Sequence, residues 1–248
     1  MFELDGSRGL GDALYVRAVA LYLLERGGKL AIFTQWPDVF TDLAVTVRPL
    51  TAYTGREDLH HVVSCLHCRV CPVKVLDKFT LSCRQAGIED DVPLRVDWRP
   101  RNPALVERIR RKAGGRPVLL YQPPKIAGSD EQREQEPSQA AFCRVIDRHA
   151  ATHYRVKTGH GKYVHGYGAC EMDLFGKLTV TDALDLCTVA DLSFSTPSFL
   201  GIMAEAQDKP HLCMFTRRAA VSPYVRARNL TPARFFHKPE LGTAIYDE

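Results

Sequence analysis

Ser195-Thr196-Pro197-Ser198 gathers hydroxyls in one short turn, directly after the apolar run 190–194 and ahead of 199–206, a segment able to start a helix. A short apolar run broken by a proline-containing turn reads as a buried strand feeding a helix. The free N–H groups of the helix start then face the turn. That arrangement can hold an anion such as phosphate. The same residues carry a plainer reading, in which Ser198 caps the helix and Pro197 opens it. Both readings stand at the level of sequence.

Near the N-terminus, Gly6-Ser7-Arg8-Gly9-Leu10-Gly11-Asp12 lies between a short strand at 2–4 and an apolar helix at 13–25. Strand, glycine loop and helix make a geometry that lets backbone approach a phosphate, although glycines at such a junction also serve tight turning alone. Asp12 can act as a base or as the helix N-cap. A third cluster is Cys65-x2-Cys68-x2-Cys71, followed by Cys83. Four thiols suit tetrahedral zinc or an iron–sulfur cluster, and His60, His61 or His67 can replace one of them. The remaining reading is reduced thiols that pack like small apolar residues. Cys143, Cys170, Cys187 and Cys213 fall within apolar patterns and read as core.

Positioning these groups requires alternating strands and helices. Residues 29–34, 45–50, 60–64 and 93–98 read as strands, with helices at 73–86 and 102–112. Gly114-Gly115-Arg116-Pro117 then punctuates the chain. Residues 118–121 restart the pattern as a strand running into Lys125 and Gly128. The stretch 130–139 is polar, 140–150 is helical, 154–157 is a strand, and 159–168 is rich in Gly, His and Tyr. Burying such alternation calls for an α/β fold.

The chain has 248 residues, enough for one large or two small α/β domains. Its 33 basic and 29 acidic residues leave a formal charge of +4, which permits phosphorylated ligands, nucleic acid or an anionic membrane face without requiring any of them. No apolar run approaches the roughly 18 residues of a membrane span, and no signal-peptide pattern opens the sequence. A cytoplasmic location is expected, and the eight cysteines are expected as thiols or metal ligands rather than a disulfide framework.

Leu174-x-Gly176-Lys177-Leu178-Thr179 leading into a helix, Ala190-Asp191-Leu192 opening a strand, and Ala204-Glu205-Ala206 followed by Lys209-Pro210 resemble the C-terminal half of the family 9, heptosyltransferase-like glycosyltransferases. The resemblance implies two facing Rossmann-like domains of GT-B-type architecture. These would span 1–113, with a Cys-rich insert at 60–83, and 116–248, with a tail packing back on the first domain. It also implies transfer of a sugar from a nucleotide-sugar donor to an acceptor hydroxyl on an envelope glycan, while the compact size, the mild basic charge and a donor turn that departs from the family's also allow a hydroxylated nucleic-acid base as acceptor. Gly11-Asp12 match the family's Gly-Asp loop, where the aspartate is the proposed general base. Gly9, Gly11, Lys125, Gly128, Ser195, Thr196, Ser198 and Glu205 make up the implied donor-binding set. The family commonly places an acid in the donor turn, and Pro197 stands in its place. Catalysis in the family generally needs no metal, in keeping with the lack of an Asp-x-Asp motif. The implied metal contribution is therefore at most a structural zinc or iron–sulfur cluster at Cys65, Cys68, Cys71 and Cys83. The rival class is a non-catalytic nucleotide- or nucleic-acid-binding module with a Cys-ligated metal.

Overall fold

The computed structural model describes residues 2–5, 9–52, 78–85, 87–124, 137–159, 167–215 and 232–246. It divides into two compact units, Met1–Asp97 with Ala233–His237, and Trp98–Pro232 with Lys238–Glu248.

In the first unit, β1 (Phe2–Asp5), β2 (Leu30–Thr34) and β3 (Thr46–Pro49) form a parallel sheet in the order β1-β2-β3. The crossover from β1 to β2 is α1 (Leu10–Glu25), buried continuously from Ala13 to Ala20 and apolar nearly all round, Arg17 excepted. Sequence periodicity places its start at residue 13, but the helix begins at Leu10 and takes Gly11 and Asp12 into its first turn. Gly9 is the N-cap, and so the capping reading of Asp12 gives way to a place in the first helical turn. The helix α2 (Lys78–Gln85) falls within the expected 73–86, of which 73–77 and 86 lie outside the described residues. Its Phe79 packs on Tyr15, with ring centroids 5.6 Å apart, and edge-on against His237 at 5.0 Å.

Arg17, fully buried in α1, organises the rest of this unit. Its Nε donates to the Val96 carbonyl (2.6 Å), Nη1 to the Val39 carbonyl, and the guanidinium meets both Asp42 carboxylate oxygens at 2.7 Å. Residues 93–98, expected as a strand, keep the alternation of one: Val92, Leu94, Val96 and Trp98 are buried and the residues between them less so. They form no ladder in the described sheets. Pro93 lacks a donor, and the Val96 carbonyl is engaged by Arg17.

The second unit contains α3 (Pro103–Ala113), β4 (Val118–Gln122), α4 (Gln139–Arg148), β5 (Tyr154–Lys157), β6 (Met172–Asp173), α5 (Val180–Val189), β7 (Leu192–Ser195), α6 (Phe199–Ala206), β8 (His211–Phe215) and β9 (Gly242–Tyr246); the short α7 (Pro232–Phe235) between β8 and β9 has all but its first residue in the first unit. The parallel sheet of the second unit has the order β6-β5-β4-β7-β8-β9. Counted within the unit, that is third, second, first, fourth, fifth and sixth, the order of a doubly wound dinucleotide-binding domain. On one face Leu119, Tyr121, Phe194 and Met214 pack on Phe142, whose ring stacks on Phe194 at 4.2 Å.

The division falls between Asp97 and Trp98 rather than at Gly114-Gly115, because α3 packs on α5. The fully buried carboxylate of Asp185 accepts hydrogen bonds from Trp98 Nε1 (2.7 Å) and from the N–H groups of Arg101 (3.0 Å) and Asn102 (2.6 Å). Asn102 in turn caps α3 through Leu105 N and donates to Asp182 (2.8 Å), itself part of the capping box that opens α5. The tail contributes β9 to the second sheet and residues 233–237 to the first unit. No helix among the described residues is long and apolar enough to cross a membrane.

At the amino edge of the second sheet, His211 and Glu205 are buried together with Nε2 and Oε1 3.8 Å apart. Burial pushes the His211 imidazole down to about 4. The unfolded chain takes up that proton near 6.5. His211 therefore costs nothing above about pH 6.5, and stability falls as pH drops toward 4, by about 3 kcal/mol in total. Urea unfolding of the wild type against His211→Gln should show this extra acid sensitivity in the wild type; equal slopes between pH 6.5 and 4 would contradict it.

Candidate functional site

In an open parallel α/β sheet the ligand crevice lies beyond the carboxyl ends of the strands, where the strand order reverses. In the second unit that point lies between β4 and β7. Gln122, the last residue of β4, is in register with Ser195, the last of β7, and Ser195 is in register with Cys213 of β8. On the other side of β4, Thr158 follows β5 and donates its N–H to the Tyr121 carbonyl (2.9 Å). Register neighbours in a parallel sheet point to the same face, about 4.8 Å apart. Thr158, Gln122 and Ser195 thus form a row of polar side chains across three adjacent strand ends.

Two members of that row set it apart from ordinary strand-end packing. Gln122 is 7% exposed and Thr158 fully buried, yet Gln122 Oε1 and Thr158 Oγ1 have no hydrogen-bond partner among the described residues. Buried polar atoms are almost always paired, and leaving one unpaired costs about 1–3 kcal/mol. Both atoms lie at the carboxyl ends of their strands, the side on which a parallel α/β sheet binds its ligand.

Around them the edge is shaped by close packing. Gly159 has φ +133°, and a Cβ there would meet the Phe175 ring at 2.7 Å and Gln122 Cγ at 3.3 Å. Glycine lets the Phe175 ring and the Gln122 stem lie against the backbone. Phe175 is held by its N–H donating to Asp173 Oδ1 (3.0 Å), and Asp173 pairs with the buried Lys157 at 2.7 Å. Burial works to raise the Asp173 carboxyl, but hydrogen bonds from Lys157 and from Phe175 N–H, with the charges of Lys157 and Lys177, hold it below the usual carboxylate range.

The turn after β7 combines both sequence readings in its geometry. Ser198 is the N-cap of α6 and accepts from Leu200 N–H (3.2 Å), while its Oγ lies 2.9 Å from Ser195 Oγ. Capping therefore occupies one of the hydroxyls expected to face an anion, and Thr196 stands half-buried in the same turn. Glu205 is not brought to the turn. It sits near the far end of α6, buried against His211 at the opposite edge of the sheet.

In the first unit, Asp12 occupies the first turn of α1, which follows β1. Its carboxylate lies against Gly9, so closely that a Cβ added at Gly9 would sit 2.8 Å from Oδ2. Gly9→Ala should consequently swing the Asp12 side chain aside, a cheap adjustment for the fold. The expected result is a loss of at least about tenfold in any Asp12-dependent turnover with the melting temperature nearly unchanged; undiminished turnover would show that this placement of the carboxylate is immaterial.

Lys125, Gly128, Cys65, Cys68 and Cys71 lie outside the described residues. Cys83 is buried in α2, and no group of three or more metal-ligating side chains occurs among the described residues. Cys187 and Cys213 are buried, with burial pushing Cys187 up to about 12, while Cys143 and Cys170 are half-buried. Sequence reasoning missed Gln122 and Thr158. The available signal was a polar residue closing each apolar strand run just before a proline or a glycine.

No family model matches the sequence, and no curated protein matches it. Among solved structures, the chain is similar to a glycosyl transferase family 9 protein from Veillonella parvula, with 10% identity and a TM-score of 0.65 over 99% of this chain and 84% of that one. It is also similar to E. coli ADP-heptose lipopolysaccharide heptosyltransferase II (14%, TM-score 0.54, covering 100% and 93%). E. coli heptosyltransferase WaaC, solved with ADP-2-deoxy-2-fluoro heptose, matches at 8% identity and TM-score 0.55, covering 98% and 92%. In fold, the chain is similar to the GT-B-type, heptosyltransferase-like glycosyltransferases of family 9.

Proposed function

We infer that the protein is a glycosyltransferase that moves a sugar from a nucleotide-sugar donor to an acceptor hydroxyl. The observation that carries this reading is the pair of unpartnered buried polar atoms, Gln122 Oε1 and Thr158 Oγ1, at the point where the strand order of a dinucleotide-type sheet reverses. A nucleotide carries the hydroxyl and phosphate groups that would complete them. The solved heptosyltransferases of similar fold include one holding an ADP-sugar analogue, which favours a nucleoside-diphosphate donor. The lipopolysaccharide heptosyltransferase among them favours a glycan hydroxyl as acceptor.

In the proposed step Asp12 takes the proton of the acceptor hydroxyl as that oxygen bonds to the anomeric carbon. The bond from that carbon to the phosphate oxygen breaks, and the nucleoside diphosphate leaves with the electron pair. The remaining N–H groups at the start of α6, with Thr196 and Ser195 beside them, would stabilise the charge on the leaving group. Lys125 would act in the same way. The chemistry is assigned to protein groups without a metal cofactor, as the lack of an Asp-x-Asp motif suggests.

The test is a panel of UDP-, GDP-, ADP-, CMP- and dTDP-sugars, with nucleotide release and thermal stabilisation measured for the wild type and for Thr158→Val. One nucleotide should stabilise the wild type and bind the variant about tenfold more weakly. The variant's own melting temperature should stay level or rise, since it loses a buried hydroxyl with no partner. If no donor is turned over and none raises the melting temperature, the transferase reading fails.

A further inference from the structure

The exposed face of α3 carries a set of charges that the proposed reaction does not use. Leu105, Val106, Ile109 and Ala113 are buried, whereas Arg108, Arg110, Arg111 and Lys112 are exposed, followed by the exposed Arg116 just past the left-handed cap Gly114. Among the described residues, only Arg116 of this set has an acid within ion-pair distance, Glu171 at 3.6 Å. The set continues onto Lys209, whose amine donates to the Thr188 carbonyl (2.9 Å) at the end of α5. Burial pushes the Lys209 amine down and the nearby charge of Arg110 adds to this, while Asp191 and Cys187 oppose it. Glu107 is the lone acid on α3, with Glu171 and Asp191 at the border of the patch.

Cations in a last helical turn favour the helix dipole, but each is worth only a few tenths of a kcal/mol to about 1 kcal/mol. Like charges three and four residues apart repel by similar amounts. A helix end therefore gains little from Arg108, Arg111 and Lys112 together. A partner with repeated negative charge gains from all of them.

We propose that this face of α3 binds the phosphate backbone of a nucleic acid, a property independent of the transferase reading. Arg108 and Lys112 stand about one helical turn apart, roughly 5–6 Å, and duplex DNA presents one phosphate per about 1.7 Å of its axis. The patch is arginine-rich, and a guanidinium matches phosphate geometry better than an ammonium does. A bilayer surface is disfavoured by what the helix has already used. Helices that lie in a membrane interface insert an apolar face, and that of α3 is buried in its own unit. The one large hydrophobic residue exposed among the described residues, Tyr246, lies on β9.

The experiment uses the full chain, a fluorescent 20-base-pair duplex and anisotropy between 50 and 200 mM NaCl, with phosphatidylserine vesicles as the second arm. Phosphate contacts from Arg108, Arg111, Lys112 and Arg116 predict a slope of log K against log salt of about −3.6. The triple variant Arg108→Ala, Arg111→Ala, Lys112→Ala should flatten that slope by about 2.7 and weaken binding at least about tenfold at 100 mM salt. Alanine is the best helix former, so the variant should keep its fold, as its melting temperature will report. The double variant Arg144→Ala, Arg148→Ala on the exposed side of α4 should bind as the wild type does. Absence of duplex binding by the wild type, an unchanged slope in the triple variant, or patch-dependent binding to vesicles but not to DNA would each overturn the proposal.

Discussion

Asp12→Asn is expected to lower turnover by about 10²–10⁴-fold while leaving the fold intact. In the proposed reaction the carboxylate accepts the proton that the acceptor hydroxyl loses as it attacks, and a carboxamide cannot accept it. The size of the effect follows from the usual contribution of a positioned base. The fold should barely respond, because Asp12 is not the N-cap of α1. That place belongs to Gly9, and an acid in the first turn contributes about 0.3–1 kcal/mol through the helix dipole. The decisive comparison is kcat against nucleotide affinity in the same preparation. Loss of kcat with unchanged donor binding supports the role of base, whereas parallel loss of melting temperature and binding would make Asp12 a structural residue.

Arg17→Met is the substitution expected to cost the most stability, about 3–5 kcal/mol. Methionine fills much of the volume but supplies no donors. Val96 and Val39 carbonyls would then be left without the guanidinium, and the Asp42 carboxylate would lose two hydrogen bonds of 2.7 Å. Asp42 is 41% exposed and can turn to water, so most of the cost lies in the carbonyls and the lost packing. Arg17→Lys should recover only part of it, since one ammonium cannot reach three partners in the fork geometry. Urea unfolding of the three proteins would order them wild type, Arg17→Lys, Arg17→Met; a loss below about 1 kcal/mol for Arg17→Met would show that the site relaxes around the gap.

Local pattern made much of the fold legible. The apolar runs at β2, β4 and β7 and the helix stop at Gly114 depend on neighbours in sequence, and an alternation of strands and helices led directly to parallel sheets. Other features depend on partners far away along the chain. Within 93–98 the Val96 carbonyl is taken by Arg17, whose Nε reaches it across 79 positions. The first residue of the second unit, Trp98, is held there by Asp185 across 87 positions. Neither contact leaves a periodic trace. The Ser195–Ser198 turn was legible as a turn, but the two hydroxyls spend part of their capacity on each other and on α6. The unpartnered atoms of Gln122 and Thr158 become visible only once the strand order sets β4 between β5 and β7.

The first unit draws residues 233–237 from beyond the second, and Phe79 meets His237 there. During synthesis this imposes a schedule. Residues 1–97 leave the ribosome early, yet the face of α2 that carries Phe79 stays open until almost the whole second unit has followed. The unit that emerges first receives its last residues only after 98–232 of the second have followed. A chaperone or a nascent neighbour would find its longest opportunity at Phe79, in the interval between the two events.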